Sequence, residues 1–316
     1  MKLTVTPLDN VGVEVSGFDI NEPLTDEIKA ELKALWYEHA ILVFRDQDIS
    51  PEKQIEFSRI FGPLELHPLK VTTSDKYPEL FVLQNGGPMD KFQTAFYKGE
   101  EIVGRLDWHM DLHYTARPNH GALLRAVVVV VVAAEDGMTG FGDLAKAYDA
   151  LDDDTKALIE QLEVVYSFSM QRRHMRYVNL DGYEPGPNSP TKPTDIGFPD
   201  FSDAAYPMVV THPISGRKVL EVVEQFLDRV VTPQQFGLSN DESIELLERF
   251  VAHVQKPEFT YFHKWREGDM VLWDNWRAMH CNALHCTTGT KPGINRVINR
   301  TTIEGDITLG RVLKTE

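Results

Sequence analysis

Six consecutive valines, Val127 to Val132, sit inside the apolar run from Ala126 to Ala134. The run is far too short to cross a bilayer, which takes about 20 residues in a helix. β-Branched side chains without polar alternation read as a strand covered on both faces. A chain with such a strand at its centre must supply a layer on either side of it.

The remaining elements fit that demand. Leu3 to Val15 reads as one or two short strands broken at Asp9-Asn10. A helix then starts at Thr25 and turns Ile28, Leu32, Leu35 and Trp36 to one face. Ala40 to Phe44 is a buried strand, and Ser50-Pro51 opens a second helix that Gly62 closes. Beyond a strand near Leu80 to Gln84 comes a polar loop. After the valines, Asp143 and the acidic run Asp152 to Asp154 read as helix starts rather than metal ligands. A helix from Asp241 to Val254 precedes the last strands, Phe259–Trp265, Asp269–Asp274 and Arg296–Ile303. Residues 180–207 are rich in Pro, Gly, Asn and Asp without periodicity, so they read either as an active-site lid or as a disordered excursion. Many short strands around one core, with helices mostly early or inserted, suggest a mainly β jelly roll with helical additions. The expectation is a single domain over residues 1–316 that this loop interrupts.

The formal net charge of -16 over 316 residues argues against a nucleic acid or an anionic membrane as partner, since either would need a basic face. The first fifteen residues hold no long apolar core, so no signal peptide is expected. With two cysteines, Cys281 and Cys286, too close and too few for a disulfide framework, a reducing, cytoplasmic home is expected. Self-association is left open.

Leu106 to His113 contains His109 and Asp111. Side chains two apart on an extended strand share a face. An imidazole and a carboxylate side by side are two of the three ligands of a site that leaves adjacent positions free on Fe(II). The plainer reading is a surface histidine beside a solvated aspartate. The third ligand would come from Trp273-Asp274-Asn275-x4-His280. Further on, Arg296 and Arg300 share the face of a strand, and guanidinium donates two parallel hydrogen bonds to a carboxylate.

These residues resemble the taurine dioxygenase family, which includes the phenoxyalkanoate-herbicide dioxygenases. The resemblance runs through His109-x-Asp111, Gly137-x-Thr139, Trp273-Asp274-Asn275-x4-His280 and Arg296-x3-Arg300, in that order. It extends to Gly12-x-Glu14-Val15-x-Gly17, to Phe61-Gly62 with His67-Pro68, and to His212-Pro213-x2-Gly216-Arg217-Lys218. It implies a double-stranded β-helix and an oxygenase that depends on Fe(II), 2-oxoglutarate and O2. His109, Asp111 and His280 would hold iron. 2-Oxoglutarate would chelate that iron and set its far carboxylate on Arg296, helped by the Thr139 hydroxyl. It would leave as succinate and CO2 while a substrate carbon is hydroxylated.

His285 rivals His280. The family's spacing to the carboxylate-binding arginine fits His285, eleven residues before Arg296, whereas the strand register fits His280. Register is less tolerant than loop length, which favours His280. His113 continues the ligand face but matches no family ligand, and is expected behind the site or partly exposed. For the organic substrate, His67 and Arg300 match family positions, Phe226 is a candidate lining residue, and Lys70 stands where taurine-type enzymes carry an aromatic. Lys70 argues against taurine itself. A small anionic substrate fits a pocket made basic by these groups. Two other classes compete. One is a non-catalytic jelly-roll binding protein stapled by zinc at His280-Cys281-x3-His285-Cys286. The other is a metal-dependent hydrolase, for which no separate base or oxyanion motif is present.

Overall fold

The computed structural model describes residues 2–66, 73–84, 90–130, 137–282 and 295–313. Ile41–Phe44 shows how the layers form. All four residues are buried, with Leu42 and Phe44 in one apolar cluster and Ile41 and Val43 in another. Met270–Asp274 repeats the pattern: Met270 and Leu272 face one way, Val271 and Trp273 the other. Period-two alternation thus divides each strand between two cores.

These strands belong to an eight-stranded sheet in which Met270–Asp274, Gly121–Val130 and Asn295–Ile303 lie side by side. Its outer face carries the helices Asp26–His39 and Pro51–Ser58, packed through Ile28, Leu32, Trp36 and Phe57. Its inner face meets a four-stranded sheet of Thr260–His263, Thr139–Asp143, Ala278–Asn282 and Leu106–His109. Phe141 and Ala278 of that sheet share a cluster with Leu124, Trp273 and Ile298 of the larger one. The result is a jelly roll of facing sheets rather than a closed barrel.

The double-sided burial falls on Gly121–Ala126 and not on the valines that follow. Val127 to Val129 are half-buried. Met270–Asp274 pairs with Gly121–Arg125 and goes no further, so beyond that point Asn295–Ile303 is the one strand paired with the valines among the described residues. Val131 and Val132 lie outside the described residues.

A second large core joins the helices Leu144–Asp149, Asp153–Ile159 and Asn240–Val254 to strands including Glu163–Tyr166 and Ala204–Pro207. The caps sit where the sequence puts them: Thr25, Ser50, Asp143 and Asp152 each accept a backbone N–H of the first turn. No helix among the described residues is long and apolar enough to cross a membrane.

The 180–207 stretch is ordered. Its Tyr183–Pro185 pairs with Thr94–Tyr97, which pairs in turn with Glu100–Val103. Gly186 lets the chains approach, because a Cβ there would stand 2.2 Å from the Thr94 carbonyl oxygen.

Candidate active site

The four-stranded sheet brings the two histidines together by register alone. His280 is the direct partner of His109 across an antiparallel pair, and their ring centroids are 4.1 Å apart. One strand further on, Thr139 lies opposite Asn282. Asp111 is not on that strand, which ends at His109. It occupies the following turn, where Leu112 takes a φ of 56°. The shared-face argument for an extended strand therefore does not apply to it.

Asn275 does that positioning instead. Its Oδ1 accepts the Asp111 backbone N–H at 2.8 Å, and its Nδ2 donates to the Asp111 carbonyl at 3.0 Å and to that of Asn119 at 3.1 Å. The carboxylate so placed lies 3.7 Å from His109 Nε2 and 3.6 Å from His280 Nε2. The three ligand atoms lie within 4.8 Å of one another.

A metal needs neutral imidazoles and an ionised carboxylate, and the surroundings favour both. Burial holds both histidine pKa values below the ordinary range, and for His280 the neighbouring His109 adds to the effect. Burial would raise the Asp111 carboxyl, but the Arg300 guanidinium beside it outweighs that and holds it well below the carboxylate range. His109 Nδ1 lies 2.7 Å from the Asp107 carbonyl oxygen. A carbonyl only accepts, so Nδ1 carries the proton and Nε2 keeps a free lone pair directed at the cluster. That tautomer is the one metal-binding histidines adopt.

A second cluster of this kind, His120, His212 and Asp274, fails the same test. His212 Nδ1 accepts from the backbone N–H groups of Ile214 and Ser215 at 3.3 and 3.0 Å. The proton therefore sits on Nε2, which faces Asp274 Oδ2 at 2.9 Å. The His120 ring stacks on Trp276 with centroids 3.8 Å apart. His212 is held by backbone N–H groups and His120 by ring stacking, both within the core.

The larger sheet forms the opposite wall. Arg296 and Arg300 both line the cavity that contains His109, Asp111 and His280, whose volume is about 730 Å³. Arg300 donates to Asp111 Oδ2 at 2.7 Å and lies over the Trp273 ring. Arg296 is buried, donates to the Gly137 carbonyl and to Asn282 Oδ1, and forms no ion pair among the described residues. Burial alone lowers its pKa, to about 10. A buried guanidinium without a counter-charge is a fitting seat for the free carboxylate of a keto acid.

Thr139 and Phe226 line the same cavity. Phe226 packs against Phe168 and Tyr114. The excursion adds Tyr183, Pro190 and Phe198 to the lining. His67, Lys70 and His285 lie outside the described residues, as does Cys286. Cys281 is disulfide-bonded, which corrects the expectation of reduced cysteines. A disulfide sulfur is no thiolate for zinc. His113 is fully buried and turned from the site, 3.1 Å from Glu221 and stacked on Tyr206. The turn after His109 removes it from the ligand face. Asn282 and Trp265 carried no sequence signal, whereas Asn275 stands within the Trp-Asp-Asn motif.

The family profile described as Taurine catabolism dioxygenase TauD, TfdA family matches residues 4–302. The chain is 33% identical to the (S)-phenoxypropionate/alpha-ketoglutarate-dioxygenase of Sphingobium herbicidovorans, over 87% of this chain and 88% of that one. It is 32% identical to the alpha-ketoglutarate-dependent 2,4-dichlorophenoxyacetate dioxygenase of Cupriavidus pinatubonensis, over the same shares. The structure of AAD-2 in complex with Mn(II) and N-oxalylglycine superposes with a TM-score of 0.71 at 28% identity, covering 98% of this chain and all of that one.

Proposed function

The chain belongs to the taurine catabolism dioxygenase TauD, TfdA family and is an Fe(II)- and 2-oxoglutarate-dependent dioxygenase, and on that premise we propose that it oxidises a small organic anion with an apolar, ring-sized body. The observation that carries the proposal is the pairing of Arg300 with an aromatic lining in one cavity of about 730 Å³. Relatives named for phenoxypropionate and for sulfate esters support an anionic head group.

In this reading His109, Asp111 and His280 hold the iron through the two Nε2 atoms and the carboxylate. Arg296 and Thr139 take the far carboxylate of 2-oxoglutarate, and Arg300 takes the anionic group of the substrate. Bound iron, 2-oxoglutarate and O2 supply the oxidising power, with succinate and CO2 released. The protein's part is to orient these partners and keep water from them. Phe168, Phe198 and Phe226 would hold the apolar body, and the excursion carrying Phe198 would act as a lid. Arg300 reaches both the metal carboxylate and the cavity, so the substrate's charged end is fixed near the metal, and the carbon beside it is the one exposed to oxidation.

The test is anaerobic. Adding Fe(II) and then 2-oxoglutarate is expected to give a visible charge-transfer band that His109→Ala abolishes. Succinate release is then screened against aryloxyalkanoates, sulfate esters and sulfonates. No band from folded, iron-loaded protein would overturn the assignment of 2-oxoglutarate to Arg296 and Thr139. Turnover only with uncharged substrates would overturn the role of Arg300.

A further inference from the structure

Trp265 does not line the cavity, yet it touches a residue that does. Its Nε1–H donates to Thr139 Oγ1 at 2.9 Å, and both residues are buried. An indole nitrogen only donates, whereas a hydroxyl has one proton and two lone pairs. The bond therefore runs one way. It occupies a lone pair of Thr139 and turns the hydroxyl proton elsewhere. Among the described residues that proton has no hydrogen-bond acceptor of its own. Thr139 borders the cavity beside Arg296.

The indole is itself held in place. It packs edge-on against His263, with centroids 4.4 Å apart. His263 is the cross-strand partner of Thr139 and lies 3.2 Å from Asp269. Without the indole, a threonine hydroxyl can turn its proton to a nearby backbone carbonyl. It would then present a lone pair to any carboxylate in the cavity.

We infer that Trp265 is a positioning residue that makes the Thr139 hydroxyl a fixed donor toward the far carboxylate of 2-oxoglutarate. The subsite then offers donors from both sides, the hydroxyl and the remaining N–H groups of Arg296. It accepts a carboxylate and resists any end group that must itself donate. The inference rests on the reading that Arg296 and Thr139 hold this carboxylate.

The test is calorimetric titration of 2-oxoglutarate into anaerobic, Fe(II)-loaded protein. Trp265→Phe and Thr139→Val are each expected to weaken binding about ten-fold. The double variant should be no weaker than Thr139→Val alone, and Thr139→Ser should bind like the parent. The KM for the organic substrate should not move with Trp265→Phe. Phe leaves space beside it, so Trp265→β-(3-benzothienyl)alanine, which keeps the ring shape and lacks the N–H, is the second variant. It should weaken binding equally. Unchanged binding in either Trp265 variant, or additive losses in the double variant, would overturn the inference. A parent protein that takes up iron but no 2-oxoglutarate would instead overturn the underlying assignment of function.

Discussion

Asn275 gives Asp111 its place by gripping the backbone on both sides of the residue rather than the carboxylate itself. A side-chain amide is suited to this, because it donates and accepts at once. Asn275→Ala would leave the Asp111 N–H without its partner and free the turn. Groups that orient ligands typically contribute a factor of about 10–100 in metal affinity. A loss of that order is expected in an Fe(II) titration, while the far-ultraviolet circular dichroism stays that of the parent. Affinity equal to the parent's would show that the turn holds Asp111 unaided. Asn275→Asp keeps the acceptor but sets a buried carboxylate oxygen against the Asp111 and Asn119 carbonyls, so it should bind metal no better than Asn275→Ala.

At the scale of elements, the strand Leu106–His109 is tied to the excursion through one buried carboxylate. Asp107 accepts from Arg105 Nε at 3.1 Å and also pairs with Arg172. Arg105 reaches the Asn179 carbonyl at 2.8 Å, and both guanidiniums lie against the Tyr183 ring. Asp107→Ala would leave two shielded cations with Glu224 as the remaining counter-charge, and a loss of up to about 3–5 kcal/mol is expected in urea unfolding. Gly186→Ala should push the excursion off Thr94 and speed amide exchange in 183–198 with 2-oxoglutarate affinity retained. Unaltered exchange would mean that the neighbouring carbonyl yields instead.

The same elements show what the sequence could and could not reveal. Helix starts were legible because Thr25, Ser50, Asp143 and Asp152 act within one turn of chain. The Thr94–Tyr97 and Glu100–Val103 hairpin lies where the sequence suggests a polar loop, and Lys98 and Gly99 both take positive φ, as its tight turn requires. Its third strand comes from residues 183–185, a partner that no local pattern announces. The candidate metal ligands were legible as motifs, and His109 opposite His280 follows from strand register. Asp111 reached its place by a turn that periodicity does not foresee. Asn282 acts on Arg296 across facing sheets, and Trp265 acts on Thr139 from just beyond the neighbouring strand, with nothing nearby in the chain to mark either.

Over the whole molecule, acid should be the damaging condition. His120 and His263 are buried, and burial holds their pKa values below the ordinary 6.5 of histidine. The unfolded chain then binds more protons than the folded one between each folded value and 6.5, so stability rises with pH across that window. The contribution is complete above 6.5 and is lost as the pH falls toward the folded values. The melting temperature should therefore drop between about pH 7 and about pH 5, and less steeply in His263→Phe. An identical slope in that variant would exclude His263 as a source.

The division of labour among the sheets has an evolutionary corollary. One sheet carries both histidines, a second carries both arginines, and the excursion lines the cavity from a small third sheet that pairs with neither among the described residues. Drift in that third sheet can reshape the chamber without shifting the positions on which oxygen chemistry depends. A lineage built this way can acquire new diets by rewriting its roof while inheriting its furnace unchanged.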